Sequence, residues 1–544
     1  MPSFSMILHV SLVLMMLLYL VKTLGRPPRK SACTPPLPPG PMPWPVVGNL
    51  PEMVLSDMPA FRWIHHVMKD TGTDIACVKL GGVYVIPITC PRIAREVLRK
   101  KDANFASRPL TVASRTFSRG YMDAVMSPSG DHAKKMRRVL ASHIVCPSRH
   151  MWLHDKRAGE ADNLTRYVYN LVVGGTGSSS SGAAVDVRHV ARHYCGNVVR
   201  RLVFNRRYFG EPQPDGGPGP LEVQHVDAVF TCLGLLYSFS VSDYLPTIVR
   251  ALGLDLDLDG HEKMVKEAGE RLNGLHDAVI DERWRQWKSG ARQELEDFLD
   301  VLITLKDDAA DDTDEPAALT IEEVKALCLD ITMAGIDNPS NAAEWALVEM
   351  VSSPETMAKA VEEIDGVVGR DRMVQESDIP RLNYLKACIR EAFRLHPVAP
   401  FNVPHVAVAD TAVAGYRIPR GSHVVLSRTG LGSNPSVWEN PLRFDPERHI
   451  AAGDAPAEVS LVESDLRFVS FSTGRRGCIA ASLGTAMTVM LLGRLLQGFS
   501  WSKTAGVAAV DLRESRHGTF MARPLVLHAE PRLPAHLYNP VISF

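Results

Sequence analysis

The chain has 544 residues, 45% of them hydrophobic, and a formal net charge of −1. Length alone corresponds to about three or four domains, yet neither a repeat nor a long linker interrupts residues 46–544, so one large domain is expected. The balanced charge, with no basic and aromatic run, excludes nucleic acid as an expected partner, and nine scattered cysteines point to reduced thiols facing the cytosol.

Residues 1–21 carry no charged side chain, and Lys22, Arg26, Arg29 and Lys30 follow at once. This pattern predicts a membrane anchor over 1–30 with the C-terminal bulk cytosolic. A cleaved signal peptide fits less well, because a basic leading segment is missing. Residues 31–45 are proline-rich and are expected to form a stiff, extended hinge. The catalytic domain then spans 46–544. Short β-rich runs at Ile75–Lys79 and Tyr84–Ile88, followed by helix from Pro91, predict a mainly α fold with a smaller β region. Gly174–Gly182, Pro212–Pro220 and Asp307–Glu315 read as solvated loops.

From Thr320 a capping box with Glu323 opens a long helix, whose middle reads Ala334-Gly335-Ile336-Asp337-Asn338-Pro339-Ser340. A Gly and a Pro in mid-helix open the backbone ladder beside Asp337. A second helix, Arg381–His396, places Glu391 and Arg394 on one face. Phe471-Ser472-Thr473-Gly474-Arg475-Arg476-Gly477-Cys478 leads into a third helix, expected from Ile479 to about Gln497. A thiol at a helix start beside two arginines is expected to favour the thiolate. The absence of C-x-x-C or H-x-x-H spacing speaks against zinc, whereas a single axial thiolate suits haem iron.

The loop resembles the haem-binding signature of cytochromes P450, F-x-x-G-x-R-x-C-x-G, with Ala480 in place of the last glycine. The resemblance implies a cytochrome P450 fold with an N-terminal membrane anchor, lying in the endoplasmic reticulum membrane. It implies haem b ligated by Cys478, with Phe471 and Gly474 in the haem loop and Arg476, Arg137 and His405 at the propionates. Arg137 matches the arginine of the family's W-x-x-x-R helix, whose tryptophan is Ala133 here. Glu391, Arg394 and Arg448 match a buried structural triad. Asp337 and Asn338 match the proton-relay positions, although Asn338 and Pro339 replace the usual hydroxyl pair. Electrons would come from NADPH through a separate P450 reductase.

Phe471-Ser472-Thr473, Ala480, Asn338-Pro339, His449 and the run from Arg192 to Asn197 are similar to the plant P450s that N-hydroxylate amino acids. That similarity implies an aromatic amino acid, tyrosine or else phenylalanine, taken to its aldoxime as an entry to cyanogenic glucosides or related secondary metabolism. Met122 stands where that family's loop carries an arginine, so Arg115 or Arg119 is expected to meet the substrate carboxylate, with Thr519 and Phe520 reaching the pocket. The alternatives are a C-hydroxylating plant P450 and a degenerate haem-binding protein.

Overall fold

In the computed structural model, residues 35–174, 184–244, 257, 259–305, 318–450, 458–507, 509–516 and 518–539 are described. The anchor expected over 1–30, the loop after Gly174 and the acidic loop from Asp307 lie outside them. The described part of the hinge, 35–45, has no helix. It is nevertheless tied to the body, because prolines keep their carbonyl acceptors: Arg417 N–H donates to Pro36 O and Cys77 N–H to Pro39 O, both at 2.8 Å.

Val83–Ile88 (β2) carries β-branched residues on a strand buried over its last four positions. It pairs antiparallel with Val78–Leu80 (β1) and parallel with His423–Leu426 (β7), with Val85 opposite His423 and Ile88 opposite Leu426. His405–Val406 (β4) closes the far edge of this sheet, whose order is β1-β2-β7-β4. A second sheet runs Ala184–Asp186 (β3), Val526–Pro531 (β9), Phe499–Lys503 (β8), and Thr411–Val413 (β5) pairs with Tyr416–Ile418 (β6).

Helices form the rest of the body. The principal ones are α1 (Asp131–Val139), α2 (His154–Gly174), α3 (Val187–Phe204), α4 (Pro220–Leu236), α5 (His261–Lys288), α6 (Ile321–Ser352), α7 (Pro354–Val368), α8 (Asn383–Leu395) and α9 (Ala481–Gly498). With Val241–Tyr244, α4 makes a 25-residue stretch long and apolar enough to cross a membrane by length and composition. Its His225, Val226, Val229 and Cys232 are nonetheless buried in the body. The loop 212–220 is less solvated than expected: Gly216 O accepts from the Arg207 guanidinium at 2.9 Å, and Gly217 is buried.

The spine is α6. Its capping box forms as expected, with Glu323 Oε2 accepting from Thr320 N–H at 2.8 Å and Thr320 Oγ1 from Glu323 N–H at 3.3 Å. The helix buries nearly every residue from Pro339 to Met350 and packs along α3, α8 and α9. Gly335 lets it approach α3: a Cβ there would sit 2.8 Å from Val199. The eight described cysteines are free thiols.

Candidate active site

The cysteine loop is a tight reversal in which Cys478 N–H donates to Phe471 O at 2.8 Å. Gly474 turns it with φ +74, and a Cβ there would lie 2.4 Å from Leu98 O, so both conformation and space require glycine. Ala480 has φ −101 and needs no such freedom, which explains why alanine is accommodated there. Helix α9 starts at Ala481, three residues after Cys478 and later than the sequence suggests.

Cys478 and Phe471 face an interior cavity of about 270 Å³, bounded on the other side by Ala334, Gly335, Asn338 and Pro339 of α6. Cys478 is fairly accessible by surface area yet deeply enclosed; its open surface faces this cavity rather than bulk water. Burial pushes the thiol up from its ordinary value, against the pull of the Ala480 backbone hydrogen bond and the charges of Arg137 and Arg428. Burial thus outweighs the expected thiolate bias. Arg475, its neighbour in sequence, turns outward to Asp102 at 2.9 Å.

Within α6, Pro339 has no N–H, so the Gly335 carbonyl lacks its helical donor. Asn338 Nδ2 donates back to Ala334 O at 3.1 Å. Asp337 lies one residue earlier. Burial pushes its carboxyl up to about 7, with Arg192 and Arg428 pulling it down.

The cavity wall is rich in buried cations. Arg137, one turn beyond the buried Ala133 on α1, donates to Gly477 O at 2.7 Å. Arg476 spends its guanidinium on the carbonyls of Ala106, Ala124 and Ser127, clamping the loop that precedes α1. His405 is buried with Nδ1 2.7 Å from Phe105 O, and burial lowers its ring to about 3, so it lines the cavity as a neutral imidazole rather than a cation.

Two cavity arginines escaped the sequence reading. Arg108 donates to Val125, Val403 and Pro404 carbonyls at 3.1, 2.8 and 2.9 Å, and burial, with Arg476 and Arg137 nearby, lowers it to about 9. Arg428 begins a short helix, Arg428–Gly432, directly after β7. Nothing local marks either residue; the cavity exists only once distant segments converge. Among the described residues, Arg108, Arg137, Arg428 and Arg476 form no ion pair. The carboxyl that also lines the cavity, Asp330, is pushed well up by burial and by its neighbour Asp123, so it does not neutralise them.

The residues expected at the substrate lie elsewhere. Arg119 is committed to Asp277 and, at 3.2 Å, to Glu322, carboxylates far away in sequence. Arg115 is exposed on the helix Val112–Phe117, and Met122 is also exposed. Thr519 is buried with its carbonyl accepting from Trp345 Nε1 at 3.0 Å, and Phe520 lies beneath the Arg188 guanidinium at 5.9 Å. None of the five is among the cavity-lining residues.

Glu391, Arg394 and Arg448 do meet. Arg394 donates to both Glu391 oxygens at 2.8 and 2.7 Å, and Arg448 Nε donates to Oε1 at 3.0 Å. The sequence reading missed a fourth member: His449 Nε2 lies 2.7 Å from Glu391 Oε2. Burial alone would push the Glu391 carboxyl up, but these donors hold it at about 2.

A larger open groove of about 930 Å³ lies beside the start of α9, but its Arg157 and Lys386 are paired with Glu376 and Glu458. The Cys478 cavity has the features a haem requires: a thiol aimed into it, backbone without bulky side chains at Gly335, and buried positive charge with no ionised partner to meet two propionates.

A profile of the cytochrome P450 family matches residues 38–526. The chain is 70% identical to the tyrosine N-monooxygenase of Sorghum bicolor, over 99% of this chain and 96% of that protein. It is 52% identical to tryptophan N-monooxygenase 1 of Arabidopsis thaliana, covering 96% and 93% of the two chains. It is 50% identical to phenylalanine N-monooxygenase of the same plant, covering 92% of each. With a thiol-centred, cation-lined cavity and a family match over most of its length, the chain belongs to the cytochrome P450 family.

Proposed function

We propose that the protein is a haem-thiolate monooxygenase that N-hydroxylates an aromatic L-amino acid twice, tyrosine first and phenylalanine second. Loss of water and CO₂ then leaves the aldoxime. The observation that carries this reading is the 70% identity, over nearly the full length of both chains, to a tyrosine N-monooxygenase. Cys478 would supply the thiolate that holds the haem iron, and Arg108, Arg137 and Arg476, with His405, would meet the propionates. The haem, when bound, supplies dioxygen activation with electrons passed from NADPH by a separate reductase.

The chain's own work is binding and proton handling. An amino-acid ammonium has no lone pair to accept oxygen, so a proton must leave the nitrogen first. Asp337, at about 7, can exchange a proton near neutral pH, although it is not itself among the cavity-lining residues, so any transfer would pass through its neighbours or water. Asn338 and the undonated Gly335 carbonyl line the cavity one residue after it and two before, as polar groups for water or the amine. The uncharged segment 1–21 and the basic residues after it support an endoplasmic reticulum anchor with the catalytic body on the reductase side.

The test is turnover in microsomes co-expressing a P450 reductase, with NADPH and a panel of tyrosine, phenylalanine, tryptophan and valine. Tyrosine should give its aldoxime at the highest rate. A C-hydroxylated product, or no product from any amino acid despite an intact carbon-monoxide spectrum, contradicts the reading.

A further inference from the structure

The four arginines of the cavity wall, Arg108 and Arg476 buried and Arg137 and Arg428 partly so, fall into two groups. Arg108, Arg137 and Arg476 lie close enough to repel one another, and each gives N–H donors to backbone carbonyls. Arg428 stands apart from them, within electrostatic reach of Tyr237, Asp337 and Cys478 instead. Its backbone is fixed by its N–H bond to Pro400 O at 2.9 Å and by β7 just before it. Among the described residues its guanidinium has no hydrogen-bond or ion-pair partner, and its Nε is fully buried.

A buried, unpaired guanidinium is costly unless a ligand completes it. Its planar fork matches one ligand group above others, a carboxylate. The expected carboxylate arginines, Arg115 and Arg119, do not line the cavity, and Met122 carries no charge. We propose that Arg428 binds the α-carboxylate of the amino-acid substrate and so selects amino acids over the corresponding amines and esters. Asn338, on α6, lines the same cavity as Arg428. The inference rests on the amino-acid reading of the site.

The test is spectral titration of the full-length, haem-loaded protein with tyrosine and with tyrosine methyl ester, whose carboxylate charge is removed. The natural protein should bind tyrosine at least about tenfold more tightly than the ester. Arg428→Met should weaken tyrosine binding about 10- to 100-fold, the range of one lost charge-assisted contact, while changing ester binding less than about twofold. Arg428→Lys should recover part of the loss. Equal weakening of both ligands, or unchanged tyrosine affinity, overturns the proposal and would suit a haem-propionate role. Should Arg428→Met fail to hold haem, the comparison in the natural protein and in Arg428→Lys decides, and failure of either to favour the acid overturns the proposal. If tyrosine is converted to aldoxime without discrimination against the ester, Arg428 alone is wrong; if no amino acid binds or reacts, the activity reading has failed.

Discussion

Single side chains here are governed by burial before charge. Asp337 illustrates the sign. Its carboxyl is raised from the usual 3.8 to about 7, so below about pH 4 folded and unfolded chains are both protonated and no penalty exists. As pH rises toward 7 the unfolded chain ionises first, and folding loses roughly 2–4 kcal/mol. Asp337→Asn should therefore raise the thermal midpoint at pH 8 and leave it unchanged near pH 4; an equal shift at both would contradict a titrating Asp337. The same substitution should flatten the rise of turnover between pH 6 and 8. Cys478 was legible as a cavity residue because its loop is a local pattern. The engagement of Arg119 away from the cavity was not, because Arg119 answers to Asp277 and Glu322, whose approach depends on α5 and α6 folding beside it.

At the scale of elements, the Glu391 cluster joins α8 to the turn Pro446–His449. Three partners converge on one carboxylate with essentially no solvent access, so removing it strands two arginines. Glu391→Ala should cost about 3–5 kcal/mol in denaturant unfolding and release haem; a loss under about 1 kcal/mol would mean water or a neighbour replaces it. The pH signature is opposite to that of Asp337. Glu391 is held near 2, so its contribution, up to about 3 kcal/mol, is complete above pH 4.5 and fades as pH falls toward 2. The triad was readable because Glu391 and Arg394 share one helix face, whereas His449 became a member only through the bend that follows Asp445. Helix α6 was readable from its capping box, and its tight contact with α3 through Gly335 was not. Gly335→Ala should force α6 away from Val199, costing about 1–3 kcal/mol and altering the cavity wall. The two-residue error at the start of α9 has a physical cause: Cys478 N–H is spent on Phe471 O, which holds the chain in the loop before the helix can begin.

For the molecule as a whole, a mainly helical body with small sheets was legible from periodicity, since α6, α8 and β2 lie close to where apolar spacing places them, whereas β1 (Val78–Leu80) shares only Val78 and Lys79 with the expected run Ile75–Lys79. The cavity was only half legible. Its thiol end, with Arg476, is a contiguous motif and Arg137 belongs to a second local pattern, while Arg108 and Arg428 join the charged wall from segments that no local pattern marks. Deleting residues 1–30 should move much of the protein from membrane to soluble fractions, and secretion of the full chain with a cleaved N-terminus would contradict the proposed anchor. The central claim is that this cavity transfers oxygen to the nitrogen of an aromatic amino acid. It is tested most directly by supplying ¹⁵N-tyrosine and ¹⁸O₂ to the reductase-coupled protein and weighing the product. The account predicts an aldoxime that keeps ¹⁵N and carries ¹⁸O on it; ¹⁸O bound to carbon, or an oxime without it, would contradict the account.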